Sequence, residues 1–316
     1  MPAGSADTPA AAQAADPWPD SGPLRWAREG ATWPNAEHSR FIHAGNLRWP
    51  AQHWPGPTSA RHCVLLLHGT GASTHSWRAL APRLAARAEV IALDLPGHGF
   101  SGMPGAGGFS LPGMAEAIAA LLRALAARPT AVVGHSAGAA IGARLCLSAL
   151  IDPETLVGIN GAWLPFGGAA SRLFSPAARL LAGSGAAPWL FARLARDPAL
   201  ARRLLAGTGS RIDPLGEQAY ARLLRSPDHV AAALSMMAHW QLDGLLEELP
   251  ALRPALRLLA GSADLTVPCA QSERVARALP AARLERLAGL GHLAHEEQPE
   301  LIAARILEVL GLAPAD

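Results

Sequence analysis

Short apolar runs alternate with stretches of helical spacing along most of the chain. Residues 63–67, Cys-Val-Leu-Leu-Leu, are continuously apolar and end at His68-Gly69, the pattern of a strand covered on both faces of a parallel sheet. Segments 89–93, 131–134, 155–159, 255–260 and 283–287 predict further strands, and 76–87, 111–127, 137–149, 270–278 and 299–310 predict the helices between them. Ahead of these, 41–54 predicts a hairpin turning at Gly45-Asn46, its second strand shortened by Pro50. Strand and helix repeating at this spacing predict an α/β fold with a mostly parallel central sheet. Between about 161 and 250 the alternation stops, and Ala-, Leu- and Arg-rich helical segments follow without a strand. This insertion is expected to form a helical cap, leaving 23–160 and 251–316 as the core. Residues 1–22, rich in Ala, Pro, Asp and Ser, are expected to be a disordered tail and lack the basic start and apolar stretch of a signal peptide.

Composition narrows the function classes. Half of the 316 residues are hydrophobic, enough for a large core, and 27 basic residues against 25 acidic leave a net charge of +2, which does not suit a nucleic-acid binder. All 27 basic residues are Arg; with no Lys, Schiff-base chemistry and a P-loop lysine are excluded. Cys63, Cys146 and Cys269 are odd in number and far apart, which fits a reducing cytoplasm. No run of about 18 apolar residues predicts a membrane span. Peripheral membrane contact stays open, because Arg172, Arg179, Arg193, Arg196, Arg202 and Arg203 punctuate the apolar helices of the insertion, with Trp189 and Phe191 between. That pattern fits either a cap with a solvated basic face or a helix that docks on a membrane or a partner.

The sharpest chemical signal is Gly134-His135-Ser136-Ala137-Gly138, a G-x-S-x-G placed between a short apolar strand and a helix. Small residues two before and two after the serine let strand and helix approach, so that Ser136 projects into the cleft at a helix N-terminus. A hydroxyl needs a base oriented by a carboxylate. Asp264 follows strand 255–260 and His292 follows strand 283–287, so both fall on the same sheet edge as Ser136 and in the order serine, acid, histidine. The oxyanion donors expected are the N–H groups of Thr70, in the His68-Gly69-Thr70-Gly71 turn, and of Ala137. His68 and Asp94 read as structural. His295 reads as a surface or supporting group, and the close spacing of His292, His295 and Glu296 is a poor metal signature, so no metal and no cofactor are expected. His135, Trp163, Phe166, Met237 and Trp240 are candidates to line an apolar substrate pocket under the cap.

With these motifs in this order, the chain resembles the α/β-hydrolase superfamily over roughly 40–312. More narrowly, Trp33-Pro34-Asn35, the run from His68 to Trp77, and the segment from Gly134 to Ala140 resemble the magnesium chelatase accessory proteins of bacteriochlorophyll synthesis, the BchO type. So do Asn160-Gly161-Ala162, Gly207-Thr208-Gly209-Ser210-Arg211, Met236-Met237-Ala238-His239-Trp240 and the stretch from Gly291 to Glu297. The resemblance implies a cytoplasmic protein acting beside magnesium insertion into protoporphyrin, with chelatase subunits as potential partners. Two functions are compatible with it: a serine hydrolase of esters or similar acyl compounds, or an accessory protein that holds a porphyrin-like molecule or a chelatase subunit without catalysis.

Overall fold

A computed structural model describes residues 24–165, 184 and 186–312. Eight strands form one sheet in the order β1-β2-β4-β3-β5-β6-β7-β8: β1 Ser39–Ala44, β2 Leu47–Trp54, β3 Cys63–Leu67, β4 Glu89–Leu93, β5 Ala131–His135, β6 Thr155–Ile159, β7 Ala255–Gly261 and β8 Arg283–Leu287. From β4 across to β8 every pairing is parallel; β1 and β2 pair antiparallel and join through β2 to β4. The helices, in chain order, are α1 Trp26–Glu29, α2 Leu80–Ala85, α3 Leu111–Ala124, α4 Ala137–Leu147, α5 Ala187–Leu194, α6 Pro198–Ala206, α7 Pro214–Leu224, α8 Pro227–His239, α9 Leu245–Glu248, α10 Ala270–Ala278, α11 Ala294–Glu297 and α12 Pro299–Val309. Between β6 and β7 the described residues contain helices and no strand.

The central parallel strands are buried on both faces because each successive side chain meets a different layer, whereas the edge strand β8 is largely open. Leu65, Leu67, Ile91, Leu93, Val132 and Leu156 pack with α3 and α4, while Val64, Leu66, Val90, Ala92, Val133 and Val157 pack with α2 and α12 on the other side. Two expectations are corrected. Pro50 does not shorten β2, which runs through it to Trp54. The ladder from β2 to β4 begins one residue later, at Ala51↔Leu93, so the missing N–H of Pro50 falls beyond its end, where its carbonyl accepts from Asp94 at 3.4 Å. Segment 76–87 is not one helix: a 3-10 turn, Thr74–Trp77, precedes α2. Pro82 can donate no bond to the Arg78 carbonyl, and that oxygen accepts the Asn35 side chain at 3.1 Å instead.

Candidate active site

Ser136 ends β5 and caps α4 at φ 52°, ψ −118°, backbone that an L residue adopts only when its surroundings enforce it. The glycines around it are required by contact. A Cβ on Gly134 would stand 2.4 Å from the Ala139 nitrogen, and one on Gly138 would stand 2.0 Å from the Leu67 carbonyl oxygen. The turn is held by the Ser136 N–H donating to Ile159 at 3.0 Å, and by its carbonyl accepting from Ala139 at 3.1 Å and Ala162 at 3.0 Å. The serine side chain is half-buried at the start of an 11-residue helix, where the unpaired N–H groups favour negative charge.

Asp264 and His292 lie in the loops after β7 and β8. The Asp264 Oδ1 accepts the N–H groups of Thr266 at 2.7 Å and Val267 at 2.8 Å, and its Oδ2 accepts His292 Nδ1–H at 2.8 Å. The carboxylate is therefore fixed in orientation, and the imidazole keeps a lone pair on Nε2. Both side chains are buried. The link to the serine runs through its neighbour: His135 Nε2–H donates to the His292 carbonyl at 2.9 Å. The turn after β3 passes over the same point, because a Cβ on Gly69 would meet the Ser136 Cβ at 3.0 Å. Among the described residues the N–H groups of Thr70 and Ala137 donate to no backbone carbonyl.

The other expected site residues are distributed unevenly. His135 is buried behind His292 with its ring 4.7 Å from it. Trp163 is wholly enclosed in the main core, its ring filling the space over Gly158 and Gly161. Met237 and Trp240 are half-buried at the end of α8, and Phe166 lies outside the described residues. It is Met236 that meets the turn after β3, its Sδ accepting the Thr70 hydroxyl at 3.4 Å. His68 and Asp94 are structural: His68 Nδ1–H donates to Gly69 at 2.7 Å and its Nε2 accepts from Leu95 at 2.9 Å, while Asp94 accepts from Thr74 at 2.7 Å and Phe100 at 2.9 Å. Burial raises the Asp94 pKa to about 6. His295 is not at the surface; it is fully buried, and its Nε2–H donates to the Ser76 hydroxyl at 2.8 Å.

Asn160, Thr208 and Ser210 were not singled out for their chemistry in the sequence, and Glu296 was weighed only as a metal ligand. Asn160, at φ 47° directly after β6, donates to the carbonyls of Gly291 at 2.9 Å and His292 at 2.8 Å and accepts from Gly261 at 2.7 Å, tying the two loops that carry His292 and Asp264. Thr208, after α6, has one carbonyl that receives the N–H groups of both His292 at 3.2 Å and Leu265 at 3.3 Å, and Ser210 Oγ accepts from Leu293 at 2.8 Å. Glu296, buried, accepts Ser76 at 2.6 Å, Tyr220 at 2.8 Å and the Arg78 guanidinium, which also pairs with Asp213 at 2.6 Å. Burial pushes Glu296 upward while Arg78, Ser76 and Tyr220 pull it back. The available signals were an Asn where a strand ends, a residue type that tolerates positive φ, and a Thr-Gly-Ser turn after a helix. Among the described residues no group of three or more His, Cys, Asp or Glu is arranged to hold a metal ion.

Comparison with known proteins places this geometry. Residues 64–305 match the family model described as Alpha/beta hydrolase family. The chain belongs to the alpha/beta hydrolase family. Within it, the chain is 39% identical over 283 residues to the magnesium-chelatase 30 kDa subunit of Rhodobacter capsulatus, covering 89% of this chain and 97% of that one, and it belongs with that BchO-type group. Among solved structures it resembles an alpha/beta hydrolase fold protein from Burkholderia ambifaria, at 26% identity and TM-score 0.68 over 86% of this chain and 100% of the other. A hydrolase from Pseudomonas aeruginosa PA01 shares the fold at 24% identity and TM-score 0.70, over 88% and 100%.

Proposed function

We propose that this alpha/beta hydrolase is a serine-type hydrolase of esters or related acyl compounds, acting in the cytoplasm in bacteriochlorophyll synthesis beside magnesium chelatase. The observation that carries the reading is the fixed bond from His292 to Asp264, which turns Nδ1 to the carboxylate and keeps Nε2 for the serine, on the loop that His135 ties to Ser136. Ser136 Oγ attacks the acyl carbon as His292 Nε2 takes its proton. Asp264 holds the imidazole in that tautomer and stabilises the imidazolium that forms. The negative oxygen of the tetrahedral intermediate is received by the N–H groups of Thr70 and Ala137. His292 then returns the proton to the leaving group, and water completes the turnover by the same route. The insertion 161–250 acts as the cap, with the half-buried Met237 and Trp240 on the apolar side of the substrate and Met236 against the oxyanion turn.

Intact-mass analysis after exposure to a fluorophosphonate tests this. The wild type should gain one adduct and Ser136→Ala none, since such probes report a serine activated by its base. A folded wild type that gains no adduct overturns the catalytic reading. The second reading, an accessory protein that binds a porphyrin-like molecule or a chelatase subunit, rests on the extended identity to a protein named as a chelatase subunit. It would be favoured by that negative result together with a change in porphyrin fluorescence at micromolar protein.

A further inference from the structure

Helix α5 is built inside out. Its inward positions are small, with Pro188 buried and Ala192 and Ala195 at 4% and 0% exposure, whereas Trp189, Leu190 and Leu194 are 57%, 54% and 58% exposed. At about 100° per residue, positions 189, 190, 193 and 194 share one face, and 188, 192 and 195 share the opposite one. A helix that only covers a core carries its large apolar side chains inward and polar ones outward. The following helix, α6, adds Leu204 at 44%, so four of the seven large hydrophobic side chains exposed among the described residues lie between 189 and 204. An outward apolar helix face such as that of α5 marks an interaction surface.

Its charge says what it meets. Residues 186–212 contain Arg193, Arg196, Arg202, Arg203 and Arg211 against Asp197 alone, five minus one or +4, while the whole chain sums to +2. Asp197 is occupied in capping α6 through the Ala199 N–H at 2.9 Å. The guanidinium of Arg193 stands 5.8 Å from the Trp189 ring, and Arg202 and Arg203 form no ion pair among the described residues. Apolar side chains with an aromatic ring, bordered by unpaired cations, complement an anionic lipid surface.

We propose that the outer face of α5 docks on an anionic phospholipid bilayer, with Trp189, Leu190 and Leu194 entering the interface and the arginines of α5 and α6 facing phosphate headgroups. The contact is peripheral, because among the described residues no helix is long and apolar enough to cross a membrane. Helix α5 packs on α8, whose Met236 touches Thr70. The docked face is therefore on the outside of the layer that meets the serine cleft, where an apolar substrate dissolved in lipid would be delivered. Docking does not depend on whether Ser136 is active.

The test is co-sedimentation of the full chain with vesicles of phosphatidylcholine alone or with one quarter phosphatidylglycerol. The wild type should pellet with the anionic vesicles, at least tenfold less with neutral ones, and less again in 0.5 M salt. The variants Trp189→Ser/Leu190→Ser/Leu194→Ser and Arg193→Glu/Arg202→Glu/Arg203→Glu should each lose at least tenfold in partitioning with unchanged near-ultraviolet circular dichroism. Brominated lipid should quench the fluorescence of the wild type more than that of Trp189→Phe, which keeps the apolar face and guards against misfolding of the triple variants. A wild type that stays in solution with anionic vesicles overturns the proposal. So does a serine triple variant that pellets like the wild type, or a wild-type dimer that the triple variant dissociates, which would make a second copy the occupant.

Discussion

Asn160 concentrates in one side chain the task of keeping two loops in register. Its carboxamide spans partners 101, 131 and 132 residues away, and no other residue type offers a donor pair and an acceptor in that shape at positive φ. Asn160→Ala should leave Ser136, Asp264 and His292 in place but unsteadied, lowering the rate of fluorophosphonate labelling by about tenfold or more, as expected when a group that only positions others is lost. It should also destabilise the fold by about 2–4 kcal/mol, through the buried Gly291 carbonyl and the Gly261 N–H left unpaired; a labelling time course with a denaturant titration on the same variant measures both. The positions of Ser136, Asp264 and His292 at strand ends were legible because a serine-hydrolase reading demands those types in that chain order. Asn160 was legible only as part of a resemblance, because its partners are far away in sequence and nothing local predicts them. The pocket residues were less legible still. Trp163 has the composition of a pocket wall and the surroundings of a core residue, since apolar character alone does not say which side of the cap a ring faces.

Among elements, the insertion is fastened to the core by polar groups. Arg78, following the first turn after the oxyanion loop, reaches Asp213 at the cap of α7 and Glu296 in α11, while Tyr220 from α7 donates to the same Glu296. Arg78→Ala would strand the buried Glu296 without its cation, and a loss of about 3–5 kcal/mol is expected. Arg83→Ala, which removes a pair with Glu300 that is open to solvent, should cost about 1 kcal/mol or less. Thermal denaturation of the two variants side by side checks the contrast, and equal shifts would contradict it. The central strands were readable almost to the residue because a doubly covered strand must be apolar throughout, and the edge strand β8 by its place after a helix. The helices of the insertion were not placed individually. Those among the described residues are 4 to 13 residues long, and three of them start at Asp197, Asp213 and Ser226 acting as caps, signals that compete with many other Asp and Ser residues in the sequence.

For the whole molecule, the buried histidines dominate the response to pH. Burial lowers the pKa of His98 to about 4 and of His229 to about 3, and holds His68, His75, His135 and His295 well below 6.5. A depressed folded-state value means that the unfolded chain takes up the proton first, so the stability these groups contribute is complete above 6.5 and is lost as the pH falls through 6.5 toward 4. Asp94, raised to about 6, acts in the opposite sense and favours the fold at lower pH, as do Glu296 and Asp228, which burial also raises, but these are three groups against six. The melting temperature should therefore fall by about 10 °C or more between pH 7.5 and 5.5, as scanning calorimetry would record; a flat profile would refute this. The carbonyl of Thr208 has a different consequence at the same scale. Because one oxygen from the insertion receives N–H groups from both the Asp264 and the His292 loops, the insertion is not an interchangeable module. A chimera carrying another family member's helices would retain all three polar side chains and lose their alignment. Recombination among such proteins is thereby confined to segments that leave residues 207–210 with their own core.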